Sequence, residues 1–188
     1  MFSFFFHPIQ RSAYLFETFK NKMSSDEDKA SDNSIHSMDL ISFSNYILSN
    51  STAITNENEK DKKDYIFRVS NWMTRLLSQT PIGPLNKYHV DAATLVLSKK
   101  CYVGLFHKME ESIQRLLSIF HWDESSPGGR LGTQNCLEEF YGTSFVRDLV
   151  VEGSDDWLAL EKLNTWDIML YENILKIFDE QRLLLYAN

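Results

Sequence analysis

Cysteine is nearly missing from this chain, with Cys101 and Cys136 the whole supply in 188 residues. Two isolated thiols carry neither a disulfide framework nor metal spacing, so ordinary buried thiols in a reduced or neutral compartment are expected. Basic charge is also short. Lys and Arg number 19 against 26 Asp and Glu, a net charge of −7, which leaves no broad basic surface for a polyphosphate backbone and excludes nucleic acid as the expected partner. No apolar run is long enough to span a bilayer. The opening MFSFFFHPIQ is interrupted by His7 and Pro8 and lacks the basic lead-in of a signal peptide. The five histidines (7, 36, 89, 107 and 121) lie far apart in sequence, so no metal site is expected from their spacing. What remains is 43% hydrophobic and 13% aromatic content, enough to bury one core of ordinary domain size.

Met1 to Phe6 reads as a buried β-strand that Pro8 ends, proline being tolerated in the first turn of the helix that follows. That helix is expected over Ile9–Lys22, with Ile9, Ala13, Phe16 and Phe19 as its buried stripe. Residues 23–64 turn to Ser, Asp, Asn, Glu and Lys, a composition of loops that bury little. Within them MDLISFSNYIL predicts a short amphipathic helix over 38–48. YIFRVSNWMTRLL, from Tyr65, reads as a helix or its lead-in, and TPIGP as a turn. A helix ending at Lys99 and Lys100 follows, cations being favoured at a helix C-terminus. CYVGLF is then strand-like, and KMEESIQRLLSIF is a helix with Met109, Ile113, Leu116, Leu117 and Phe120 on one face. HWDESSPGGRLGTQN holds three of the seven glycines, Gly128, Gly129 and Gly132, and one of the four prolines, so it reads as a loop of about fifteen residues. One long helix capped by Ser154 closes the chain, its stripe made of Trp157, Leu160, Asn164, Ile168, Tyr171, Leu175 and Phe178.

In this order the segments resemble the sulfotransferase superfamily, whose members transfer a sulfuryl group from 3′-phosphoadenylyl sulfate (PAPS). FFFHPIQRSAYLFETF is similar to the strand-turn-helix that binds the cofactor's 3′-phosphate, written as strand, Arg-His-Pro, two residues, Arg, two residues, Ser. SNWMTRLL and KKCYVGLFHKMEESIQRLLSIFHW resemble the block in which Val-Gly-Leu precedes a Glu-Ser helix. LNTWDIMLYENILKIFDEQ resembles the closing helix. Together they cover about two thirds of the chain.

The resemblance implies an α/β fold of P-loop-like sulfotransferase type, incomplete, predominantly helical, with one or two strands of a parallel sheet, as a single partial domain over 1–188. It implies PAPS as cofactor, a hydroxyl acceptor of small-molecule or carbohydrate type, and a Golgi setting whose membrane anchor would lie outside this chain. Arg11 matches the motif's second arginine and offers a guanidinium fork to phosphate. Phe6 stands where the first arginine belongs and Tyr14 where the serine does. Tyr14 and the neighbouring Ser12 are therefore the expected hydroxyl contacts, and Arg130 in the glycine loop is a further candidate. His7 belongs to the His-Pro of the motif and is expected to be structural. No glycine-lysine loop for the 5′-phosphosulfate occurs, and no catalytic base is identified, although His107 at the start of the Glu-Ser helix is a candidate. Asn71 and Arg75 either face the acceptor or serve as cap and surface pair. The chain is thus expected to be part of a longer transferase, or an inactive module binding a nucleotide or protein partner, or an assembly in which copies pair through the exposed first strand.

Overall fold

Pro8 sets the first boundary of the fold. The computed structural model, which describes residues 1–25, 38–50, 69–120 and 149–185, places strand β1 at Phe2–Phe5 and starts helix α1 at Pro8, running Pro8–Ser25. Each differs slightly from expectation: the strand is shorter than Met1–Phe6, and the helix overruns Lys22 by three residues, taking the start of the 23–64 region with it. Helices α2 (Leu40–Asn50), α3 (Trp72–Leu77) and α4 (Lys87–Lys100) follow, then strand β2 (Tyr102–Leu105), a 3-10 turn (Phe106–Lys108), α5 (Met109–Ile119), α6 (Asp155–Leu163) and α7 (Thr165–Leu185). The chain is mostly helical with a two-stranded parallel sheet, a coarse α/β architecture. The 121–135 loop expected from the sequence and the residues after it up to 148, including Arg130 and Cys136, lie outside the described residues.

The chain divides into two compact units. The helical unit takes described residues 8–25, 38–50, 69–93 and 149–170. Its core joins Ile9, Ala13 and Phe16 of α1 to Leu40, Phe43 and Ile47 of α2, with Val69, Val150, Leu160 and Leu163. The spacings 9, 13, 16 and 40, 43, 47 are those of single helical faces, and the Phe16 and Phe43 rings meet with centroids 4.9 Å apart. α2 starts two residues later than the expected 38 because Asp39 caps it, its carboxylate accepting the Ser42 N–H at 2.7 Å. That bond holds the Asp39 carboxyl below its usual range. Gln10, though polar, is buried because its amide serves two backbone groups ahead of α6: it accepts from the Leu149 N–H at 2.9 Å and donates to the Val150 carbonyl at 2.8 Å.

The strand unit takes described residues 1–7, 94–120 and 171–185. β1 and β2 pair in parallel, Phe2 beside Tyr102 through Phe5 beside Leu105. Gly104 is required there by close approach: a Cβ at this position would lie 2.8 to 2.9 Å from the Phe2 and Phe4 rings. Leu97, Cys101, Val103, Leu105 and Met109 are buried with Tyr171, Ile174, Ile177 and Phe178 of α7.

Two expectations about helical faces need correction. On α5, Met109 is buried but the line continues through Ser112 and Arg115, and Phe120 is exposed. Both polar residues are inside because they serve backbone groups: the Ser112 hydroxyl accepts the Leu105 N–H at 2.8 Å, and the Arg115 guanidinium donates to the Phe178 carbonyl and to Glu111, stacked 3.5 Å above the Phe178 ring centroid. The closing segment is not one helix but two, broken at Asn164. Its first cap is the one expected, Ser154 accepting from the Trp157 N–H at 3.2 Å. Its buried line includes Leu163, Asp167, Leu170 and Ile174, while Leu175 is only partly buried.

Candidate functional site

The helical unit carries two sets of polar groups, one inward and one outward on α1. Ser12 lies three residues after Ile9 and four before Phe16, so it falls on the buried face. Its hydroxyl donates to the Val69 carbonyl at 3.1 Å and accepts from the Asn164 side-chain amide at 3.0 Å. With no exposed surface, Ser12 is an interior link and does not present its oxygen outward. Arg11 and Tyr14 are half-buried and stand one helical turn apart, the spacing at which side chains are neighbours. The Arg11 guanidinium sits 4.2 Å from the centroid of the Trp72 ring, a cation–π contact that limits the directions the fork can take.

Beneath them lies a buried polar hub that sequence reasoning did not assemble. Asn71, in left-handed backbone conformation with φ 52° and ψ 39°, precedes α3. Its side-chain oxygen accepts from the Trp166 N–H at 2.8 Å and the Asp167 N–H at 3.2 Å, capping α7. Asp167 returns the favour to α3, accepting from the Met73 N–H at 3.0 Å and the Thr74 N–H at 2.7 Å. Asn164 completes the exchange, its oxygen accepting from the Asn71 N–H at 3.2 Å. The orphan Leu163 carbonyl at the end of α6 receives the Asn71 amide at 2.9 Å and the Ser70 hydroxyl at 3.2 Å. Each side chain thus supplies a partner that a helix end lacks. Burial pushes the Asp167 carboxyl above its usual range, opposed by the Thr74 and Met73 N–H groups and by the charge of Arg11.

Of the two roles open to Asn71 and Arg75, the structure favours capping and pairing. Arg75 donates to the Gly83 carbonyl at 3.0 Å and to that of Thr80 at 3.4 Å, tying the 80–84 turn back to α3. No family model, characterised protein or solved structure matches this chain.

The strand unit holds a second cluster. The Tyr171 hydroxyl lies 3.1 Å from His107 Nδ1, and the His7 ring meets the Tyr171 ring edge-on at 5.2 Å. Burial raises the Tyr171 hydroxyl to about 12, and loss of water together with the Lys108 charge lowers His107. Both shifts favour the uncharged forms. With the phenol donating to Nδ1, His107 carries its proton on Nε2; with Nδ1–H donating to the phenol oxygen, Nε2 is a free acceptor. Among the described residues, no three His, Cys, Asp or Glu side chains converge as a metal site.

Proposed function

We propose that the chain is a sulfotransferase-type domain of P-loop-like fold, binding PAPS through α1 and serving transfer of its sulfuryl group to a hydroxyl acceptor of carbohydrate type. The observation that carries this reading is the pairing of β1 with β2. Two segments about a hundred residues apart, FSFF and YVGL, each overlapping a separate stretch that resembles the family's, are adjacent parallel strands in register. In the same reading α1, entered two residues after β1, presents Arg11 and Tyr14 on its half-exposed side.

The residues fit a phosphate in part. A guanidinium fork and a phenol one turn apart supply charge-assisted and neutral donors to a dianion. Phe6 supplies none, and Ser12 is committed to Val69 and Asn164. Transfer itself needs a base for the acceptor O–H and cations on the departing phosphate as the new S–O bond forms and the old one breaks. The sequence holds no glycine-lysine loop for that role, which favours nucleotide binding without transfer as the second reading.

Titration with adenosine 3′,5′-bisphosphate, followed by calorimetry, tests both. Saturable binding is expected, weakened roughly ten- to a hundredfold by Arg11→Ala, the range of one charge-assisted contact. Ser12→Ala is expected to lower stability and leave affinity unchanged. Absence of binding by the wild-type chain overturns the proposal, and binding without sulfation of any added acceptor selects the second reading.

A further inference from the structure

The two edges of the sheet are treated differently. In a parallel ladder each residue's N–H and C=O point to the same side, alternating along the strand. The Tyr102 N–H bonds the Met1 carbonyl at 2.7 Å, so the even-numbered residues of β2 face β1 and the odd-numbered ones face away. That outer edge is already filled by side chains. Gln181 donates to the Cys101 carbonyl at 2.8 Å and accepts from the Val103 N–H at 2.9 Å, and Ser112 takes the Leu105 N–H. A further strand cannot pair there without displacing them.

On β1 the same alternation turns Met1, Ser3 and Phe5 toward β2 and Phe2 and Phe4 away from it. No described residue pairs with the outward N–H and C=O groups of Phe2 and Phe4. Met1–Phe6 itself carries no blunting device, since it contains no charged side chain, no proline and no bulge. The segment is also self-complementary. A two-fold axis through Ser3 sets Phe2 of one copy opposite Phe4 of the other, twice. Each of those pairs exchanges both backbone hydrogen bonds, four in all. The two Ser3 residues then form the central close pair, where hydroxyls bond across strands.

We infer that the β1 edge is a pairing surface for a second copy of this chain, joined antiparallel about Ser3 into a continuous four-stranded sheet. The pairing is closed, because the outer edge of each β2 is occupied by Gln181 and Ser112 and cannot extend the array. It does not rest on nucleotide binding by α1.

Sedimentation velocity of the full chain over a wide concentration range tests this, with a concentration-dependent species of twice the 22.0 kDa chain mass expected. Ser3→Lys sets two ammonium groups against each other at the axis and is expected to weaken association roughly tenfold or more. Mixing Ser3→Lys with Ser3→Glu chains is expected to restore it as a mixed dimer. Should Ser3→Lys fail to keep the wild-type circular dichroism, Phe2→Pro replaces it, since that N–H serves no bond to β2. A monomer at every concentration overturns the inference. So does a dimer indifferent to these substitutions, a mixture that stays dissociated, or open-ended growth.

Discussion

Among the described residues each unit buries one Asp, Glu, Lys or Arg side chain, Asp167 or Arg115, and the two are accommodated in opposite ways. In the helical unit the carboxylate of Asp167 is wholly enclosed and bonded to N–H groups at the start of α3, where the helix dipole favours negative charge. In the strand unit the Arg115 guanidinium gives its protons to the Phe178 carbonyl and Glu111 and lays its plane on an aromatic ring. The anion is held by backbone donors that have no alternative partner. The cation is held by a carbonyl, a half-exposed carboxylate and a ring, each of which survives its removal. Burying a charge is tolerated where its partners are fixed, but losing it costs most where those partners would be stranded.

The sharpest break of this contrast is Asp167→Ala, which strands the Met73 and Thr74 N–H groups in the interior. A loss of about 3 kcal/mol in urea unfolding is expected, against about 1 to 2 for Asp167→Asn, which keeps the shape and one acceptor. The pair also gives a pH test. Because burial holds the folded carboxyl above its ordinary value of 3.8, the folded chain binds this proton more tightly than the unfolded one. The resulting stability is full below the unfolded value and is lost as pH rises through the folded one. Measured against Asp167→Asn, wild-type stability should therefore fall across that window. A rise instead would mean that the N–H donors and Arg11 outweigh burial.

Arg115→Met should cost less, about 1 to 2 kcal/mol, because the thioether keeps most of the stem's volume against Phe178 and the carbonyl it leaves belongs to a helix. A loss equal to that of Asp167→Ala would erase the distinction between the two sites.

How far the sequence showed this arrangement depends on the kind of signal. Pro8, Ser154 and the Lys99–Lys100 pair mark helix ends by local chemistry, and the elements stand where those residues put them. One or two strands of a parallel sheet were expected from resemblance, but the pairing of FSFF with YVGL comes from the structure, since nothing local to either strand specifies its neighbour. The break at Asn164 escaped notice because the segment 155–185 contains neither proline nor glycine. A signal was present in Asn164 followed three residues later by Asp167, the spacing of a helix start inside a run read as continuous. Ser12 carries a similar signal on a smaller scale. Its distance from Ile9 and Phe16 places it on the buried face, whereas the motif resemblance implies an outward hydroxyl. Arg115 and Ser112 were missed because their burial depends on backbone groups of Phe178 and Leu105, which no periodicity reveals.

The smallest expected effect separates two residues with nearly the same backbone. Asn71 and Gln79 both have positive φ, 52° and 56°, and stand at opposite ends of α3. Gln79 closes the helix in the manner of a glycine: its N–H bonds the Leu76 carbonyl at 3.3 Å, the Thr80 N–H bonds that of Arg75 at 2.9 Å, and the side chain is exposed. Gln79→Gly relieves the left-handed strain, a gain of about 1 kcal/mol that the more flexible unfolded chain reduces to roughly 0.5. Asn71→Gly relieves similar strain but removes the amide that caps α7 and serves Leu163, so a net loss of about 2 kcal/mol is expected. Thermal midpoints of the two variants should move in opposite directions. If both rise, backbone strain governs the ends of α3, and the hub contributes less to stability than its hydrogen bonds imply.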